Sequence, residues 1–146
     1  MNEKDMPIGV GVLVVKDGRI LCGIRTDNGQ VCGPGGHIEQ GEDPAHAAQR
    51  ELQEEFGIKP LSLIPVGCLD GSGGAYRPTK VFLCKDFEGE VNTDDSEMAL
   101  PYFASIKELQ NHNLDIHPAF EDSIKLLLKT LEGEKDNESS GNTEGD

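Results

Sequence analysis

Residues 43–57, DPAHAAQRELQEEFG, form a helix whose two ends are written into the sequence, and that helix limits what the rest of the chain can do. Asp43 suits the N-cap, because its carboxylate can accept from backbone N–H groups left free in the first turn. Pro44 suits the first helical position, where no N–H is needed, and Gly57 suits the left-handed residue that ends a helix. At about 100° per residue, Ala45, Ala48, Leu52 and Phe56 fall on one stripe, the face expected to meet a core. Glu51, Glu54 and Glu55 stand at i, i+3 and i+4 beside that stripe, so their carboxylates converge. Like charges at such spacing destabilise an isolated helix by roughly 0.2–0.5 kcal/mol per pair, and no lysine is placed to relieve them.

Around this helix the chain alternates strands and helices. The β-branched run Ile8–Val15, the Asp17–Gly18 pair and the segment Arg19–Ile24 predict a hairpin. A polar, glycine-rich loop follows from Arg25 to Gly41. Leu61–Leu69 and Thr79–Phe87 read as strands separated by a flexible glycine-rich stretch, Asp70–Pro78. An acidic loop then leads to a strand over Met98–Ser105 and a helical turn over Ile106–Leu109. Pro118 suits the start of a last helix over Pro118–Glu132. Interleaved elements of this kind predict an α/β or α+β domain with a mixed sheet.

Composition narrows the function. A formal net charge of -14 offers no basic stripe to displace counterions, which argues against binding duplex nucleic acid through its phosphates. The domain is expected over residues 1–131, because residues 132–146 hold no apolar residue past Leu131 and are expected to form a disordered acidic tail. The four cysteines, Cys22, Cys32, Cys68 and Cys84, show no C-x-x-C spacing, so free buried or half-buried thiols are expected rather than a zinc site. The first residues lack the pattern of a signal peptide and no apolar run is long enough to span a bilayer, so a soluble, cytoplasmic protein without membrane partners is expected.

A solvated acidic face would explain the three glutamates taken alone. Two features point elsewhere. Arg50 directly precedes the cluster, and the helix is entered through Gly33, Gly35 and Gly36, which permit backbone approaches closed to other residues. Carboxylates beside a glycine-lined loop suit a hard divalent cation, with positions left for water and phosphate oxygens. That is the chemistry of magnesium, with manganese as the alternative.

These residues carry a resemblance. Gly36, five residues, Glu42, seven residues, then Arg50-Glu51-Leu52-Gln53-Glu54-Glu55-Phe56-Gly57-Ile58 match the Nudix box at every fixed position. With the flanking elements, the likeness covers roughly residues 8 to 131. It implies a Nudix-type α/β/α sandwich that hydrolyses a nucleoside diphosphate linked to another group X. It also implies metal ligation by Glu51, Glu54 and Glu55 with the carbonyl of Gly35, Glu42 and Arg50 holding the loop and orienting the carboxylates, and Glu51 as the water-activating base. Glu97 resembles the additional metal glutamate of several triphosphate-cleaving members, although an exposed acidic loop explains it equally. For the substrate, the resemblance suggests that His117 stacks on a purine and that Asp122 or Glu121 accepts from its edge, while helix entry before Pro118 is the simpler reading of His117. Tyr76 lies where dinucleoside polyphosphate hydrolases tend to carry a tyrosine, and Arg25, Arg77 and Lys80 are candidates for phosphate contact. One departure concerns the loop: relatives carry an aromatic and a large apolar residue ahead of Pro-Gly-Gly, where this chain has Val31, Cys32 and Gly33.

The expected activity is a nucleotide-sanitising pyrophosphohydrolase that converts a canonical or oxidised nucleoside triphosphate to monophosphate and pyrophosphate. ADP-ribose or a dinucleoside polyphosphate is the alternative substrate. A non-catalytic nucleotide-binding module is the competing class; such modules usually lose box glutamates, and this chain keeps all of them.

Overall fold

The structure, a computed structural model, describes residues 8–71, 76–111 and 113–145, with side chains up to residue 133. Residues 72–75, within the stretch expected to be a flexible loop, lie outside the described residues.

Strand β1 (Gly9–Lys16) is the axis of the fold. Its alternation sends Val10, Val12 and Val14 into one buried layer and Leu13 into the other, so the strand is covered on both faces. Asp17 (φ 54°) and Gly18 (φ 73°) are both left-handed, as a two-residue type I′ turn requires, and they return the chain into β2 (Arg19–Arg25) in the register Lys16 to Arg19. After β3 (Val31–Cys32), β4 (Gly35–His37), α1 (Pro44–Phe56), β5 (Lys59–Pro60) and β6 (Ile64–Leu69), strand β7 (Thr79–Cys84) lies parallel to β1 over Gly9–Val14. Strand β8 (Phe87–Glu88) pairs with β5 in a small separate ribbon, and β9 (Met98–Ser105) pairs antiparallel with β2.

The result is one mixed sheet of seven strands with the central order β3-β2-β1-β7-β6. Along its other edge β1 is shared: β4 takes Gly9–Gly11 and β2 takes Val15–Lys16. The two partners therefore diverge from one strand and leave an opening between them.

Helix α1 covers one face, burying Ala47, Ala48, Leu52 and Phe56 among Val10, Val12, Val14 and Phe82. Its ends form as the sequence predicts: the Asp43 carboxylate accepts from the His46 N–H at 2.9 Å, and Gly57 is left-handed (φ 70°) with its N–H bonded to the Gln53 carbonyl. On the opposite face lie α2 (Ile106–Leu109) and α3 (Pro118–Gly145), the latter burying Phe120, Ile124 and Leu127 against Leu13 and Val81. This is the expected α/β/α arrangement. The packing of α3 comes from its first turns; a domain boundary at Leu131 is a proposal that rests on the loss of apolar residues beyond it.

Several expectations need correction. Ala45 is exposed and Ala47 is buried in its place, which turns the buried stripe so that Glu51 and Glu55 border it. The loop from Arg25 to Gly41 contains β3 and β4, strands of two and three residues too short and too glycine-rich to show a period. Strand β6 begins at Ile64, three residues later than predicted, and the strand read as Thr79–Phe87 is two, β7 and β8. Of the four free cysteines, Cys68 is exposed.

Leu52 is fully buried and the Asp43 cap is solvent-facing, so the two sites separate packing from capping. Leu52→Ala is expected to cost about 2–5 kcal/mol and Asp43→Ala about 1 kcal/mol, read as shifts of the urea midpoint at an unchanged slope.

Candidate active site

Rotation of α1 toward β4 brings a helix rich in carboxylates against a strand with almost no side chains. A Cβ on Gly36 would collide with the Glu51 carboxylate, and one on Gly35 would sit 2.5 Å from the carbonyl oxygen of Val10. Backbone cannot yield at position 35, so glycine is required there, whereas a side chain at position 36 would displace the Glu51 carboxylate. In exchange, the Gly35 N–H donates to Glu55 Oε1 at 2.8 Å.

Arg50 ties the loop to the helix. Its Nε and Nη2 donate in a bidentate fork to Glu42 at 2.8 and 2.9 Å, Nη2 also reaches the His37 carbonyl at 2.9 Å, and Nη1 donates to Glu51 Oε1 at 2.9 Å. A longer contact of 3.4 Å runs from Nη1 to Glu54. Glu42 further accepts from the Glu39 N–H and pairs with His46. The Arg50 guanidinium, with these added donors, holds the Glu42 carboxyl down to about 2, so the pair stays charged at any working pH. The geometry matches the expected role of Glu42 and Arg50 in holding the loop.

The glutamates on the buried side behave oppositely. Burial pushes the Glu55 carboxyl up to about 8 against the pull of the Gly35 N–H, and burial raises Glu51 despite Arg50. Glu97 adds its negative charge to both from the facing loop. That loop is pinned to the end of β2, since the Thr26 N–H donates to the Glu97 carbonyl at 3.0 Å and its hydroxyl to that of Ser96 at 2.9 Å. Glu51, Glu55, Glu97 and Gly35 thus line one cleft of about 410 Å3. Glu54 is not among its lining residues and its side chain is 59% exposed. Among the described residues no three potential ligands are grouped closely enough to hold a metal as they stand, because Glu51 is turned to Arg50 and Glu55 to Gly35.

A second cleft, of about 270 Å3, opens on the other side of the Gly35-Gly36-His37 strand, and Arg25 and Glu55 border both. Tyr76 and His117, far apart in sequence, meet there. His117 takes the helix-entry role, its Nδ1 accepting the Ala119 N–H at 3.2 Å at the start of α3, and the residue also lines the cleft. Asp122 does not line the cleft; it accepts the Tyr76 hydroxyl proton at 2.6 Å and so holds the tyrosine in place. Arg25 is engaged by Asp27 through Nε at 3.0 Å and Nη2 at 2.8 Å. Arg77 lines the cleft, whereas Lys80 lies over the Phe82 ring instead.

Sequence reasoning missed Asp27, Thr79 and Ser123. Asp27 could have been found as the carboxylate two residues beyond Arg25. Thr79 and Ser123 carry no local signal, because only the parallel pairing of β7 and the docking of α3 bring them together.

The family model described as NUDIX domain matches residues 5–127. An RNA pyrophosphohydrolase of Pelagibacter ubique is 40% identical over 138 residues, covering 89% of this chain and 83% of that protein. A MutT-like protein of Streptomyces ambofaciens is 35% identical over 98 residues, 63% of this chain, and the chain spans 59% of that relative's length. A crystal structure of a MutT NUDIX hydrolase from Burkholderia pseudomallei superposes with a TM-score of 0.71 at 23% identity, covering 83% of this chain and 97% of that one, which shows a shared fold. The chain belongs to the Nudix hydrolase family, a class of enzymes acting on phosphoric anhydride bonds.

Burial lowers the titration of His117 below the ordinary histidine value, and Nδ1 is already an acceptor, so a neutral ring with the proton on Nε2 is expected at pH 7. Nitrogen-resolved NMR of the imidazole checks this: Nε2–H is expected, with a midpoint below about 6.5.

Proposed function

We propose that the chain is a divalent-metal-dependent pyrophosphohydrolase that cleaves a nucleoside 5′-triphosphate to monophosphate and pyrophosphate. One observation carries the reading: the carboxylate cleft and the cleft of Tyr76 and His117 share the wall Gly35-Gly36-His37, so a phosphate chain in one leaves its nucleoside in the other. The Pelagibacter ubique relative is named for RNA, whose 5′ end can bear the same triphosphate group, and that favours a triphosphate-capped RNA end as the second reading.

The donor set fits a hard cation, since carboxylate oxygens of α1 and of the Glu97 loop line one cleft, and burial raises both Glu51 and Glu55 there. Magnesium, or manganese, would be held by Glu51, Glu54, Glu55 and Glu97 with the Gly35 carbonyl, and when bound it supplies phosphate neutralisation and a more acidic water. The remaining work falls to the chain itself. Arg50 fixes the orientation of Glu51, which is our choice for the base that takes the proton of the attacking water. Arg25, which borders both clefts, is a cation available to the phosphate chain once it leaves Asp27, and Arg77 borders the nucleoside cleft. His117 and Tyr76 border the nucleoside. No described helix is long and apolar enough to cross a membrane, and a cytoplasmic setting is part of this proposal.

The test is pyrophosphate release from canonical and oxidised nucleoside triphosphates, a 5′-triphosphorylated RNA, ADP-ribose and diadenosine polyphosphates, with magnesium and with chelator. Turnover abolished by chelator and reduced at least a hundredfold by Glu54→Gln is expected; triphosphate turnover unaffected by either overturns the reading. Glu97→Ala should lower turnover while leaving the urea midpoint nearly unchanged, since its loop is exposed.

The raised Glu55 carboxyl sets a pH dependence. Between the ordinary carboxylate range and about 8, the folded chain keeps a proton that the unfolded chain has released, so this group's contribution to stability falls as pH rises through that window. A bound cation replaces that proton. The rise in Tm on adding magnesium is therefore expected to be larger at pH 8 than at pH 6, with proton release seen by calorimetry in buffers of different ionisation heat.

A further inference from the structure

The cleft of Tyr76 and His117 owes its depth to β1. Where the α3-facing side of that strand reaches Leu13 it is filled by a side chain, but two residues earlier stands Gly11 and two before that Gly9. A Cβ on Gly11 would lie 3.8 Å from Ser123 Oγ and 3.8 Å from Thr79 Cγ2, and one on Gly9 would lie 3.3 Å from Thr79 Oγ1. Two buried hydroxyl residues, Thr79 and Ser123, therefore flank the floor that the glycines leave open.

The hydrogen bonds at this floor have a common sense. Ser123 donates its proton to the Ala119 carbonyl at 2.7 Å, Thr79 donates to the Arg77 carbonyl at 2.6 Å, and Tyr76 donates to Asp122 at 2.6 Å. Every hydroxyl proton among these three is already committed within the protein, and each oxygen keeps lone pairs. His117 is the opposite case, because its Nδ1 takes the Ala119 N–H and leaves Nε2–H as the donor.

We infer that this cleft selects a nucleobase by the N–H donors on its edge, with Ser123 and Thr79 as the accepting residues and His117 donating to a base carbonyl or ring nitrogen. The inference rests on the nucleotide reading proposed above and adds the chemical class of base. Guanine places an imino N–H and an amino group side by side with a carbonyl next to them, which matches two acceptors and one donor. Adenine and cytosine each offer one amino group. Uracil offers a single imino N–H between two carbonyls, which would face oxygen lone pairs. A site built to accept from a donor discriminates against an analogue without it, because a buried acceptor is then left unpaired.

Steady-state hydrolysis of GTP, ITP, ATP and UTP by the full chain, with magnesium, tests this. ITP is GTP without the 2-amino group, so it removes one donor and nothing else. The wild type is expected to prefer GTP to ITP by about tenfold in kcat/KM and GTP to UTP by more, and Ser123→Ala is expected to bring the GTP to ITP ratio toward 1. Gly11→Ala, whose methyl meets its neighbours at ordinary contact distance, folds but shallows the floor. It should raise KM for GTP while leaving manganese binding, followed by electron paramagnetic resonance without nucleotide, unchanged. Turnover of all four nucleotides at equal kcat/KM would overturn the inference and leave the pyrophosphohydrolase reading intact. A preference for GTP that Ser123→Ala and Thr79→Val both leave unchanged would overturn it as well. Metal binding with no turnover of any nucleotide would remove the reading it depends on, and the inference with it.

Discussion

The bidentate pair between Arg50 and Glu42 is the constraint on which the site depends. Glu42 lies in the loop ahead of α1 and Arg50 lies two turns inside it, so the pair closes that loop onto its own helix. The same guanidinium reaches the His37 carbonyl at the end of β4 and the Glu51 carboxylate. One planar fork therefore orders three backbone segments, which a lysine with its single ammonium could not do. Because Glu42 is nearly covered, with its side chain 7% exposed, its charge would be costly to leave unpaired, and the loop has little freedom to open.

With the loop held, charge is divided across α1. Glu42 and Arg50 neutralise each other, whereas Glu51 and Glu55 are pressed toward β4, Glu51 sharing Arg50 and Glu55 bonded to the Gly35 N–H. An isolated helix would not choose this arrangement. The protein tolerates it because Leu52 and Phe56, on the same face, are driven into the core and carry the glutamates with them. Burial of apolar side chains thus gathers carboxyl groups where a phosphate-bound cation would be received.

The sheet supplies the second half of the site. Because β1 pairs with β4 at one end and β2 at the other, the sheet opens beside Gly9–Gly11, and α3 closes over the gap with His117 and Phe120 at its entrance. Gly33 fits here for a steric reason: a Cβ on it would approach the Phe120 ring to 2.5 Å. The departure at Val31-Cys32-Gly33 thus has a local explanation, since the room that larger residues would occupy is taken by Phe120 from α3.

Local chemistry was legible along the chain. The caps of α1, the Asp17–Gly18 turn, the start of α3 at Pro118 and the span of β9 are short-range patterns, set by φ, by missing N–H groups and by alternation within a few residues. So was the spacing of Gly36, Glu42, Arg50 and the glutamates, which by itself implies the family and its hard-cation chemistry. Tertiary structure decided the rest: that Ala47 rather than Ala45 is buried, that Glu97 joins Glu51 and Glu55 while Glu54 stays outside their cleft, and that Asp122 reaches the cleft only through Tyr76. It also placed Thr79 and Ser123 beside Gly11. The reason is range. A periodic or capping signal needs only neighbours in sequence, but the rotation of a helix and the meeting of a strand with a distant helix are settled by packing and strand pairing between residues that sequence spacing does not connect.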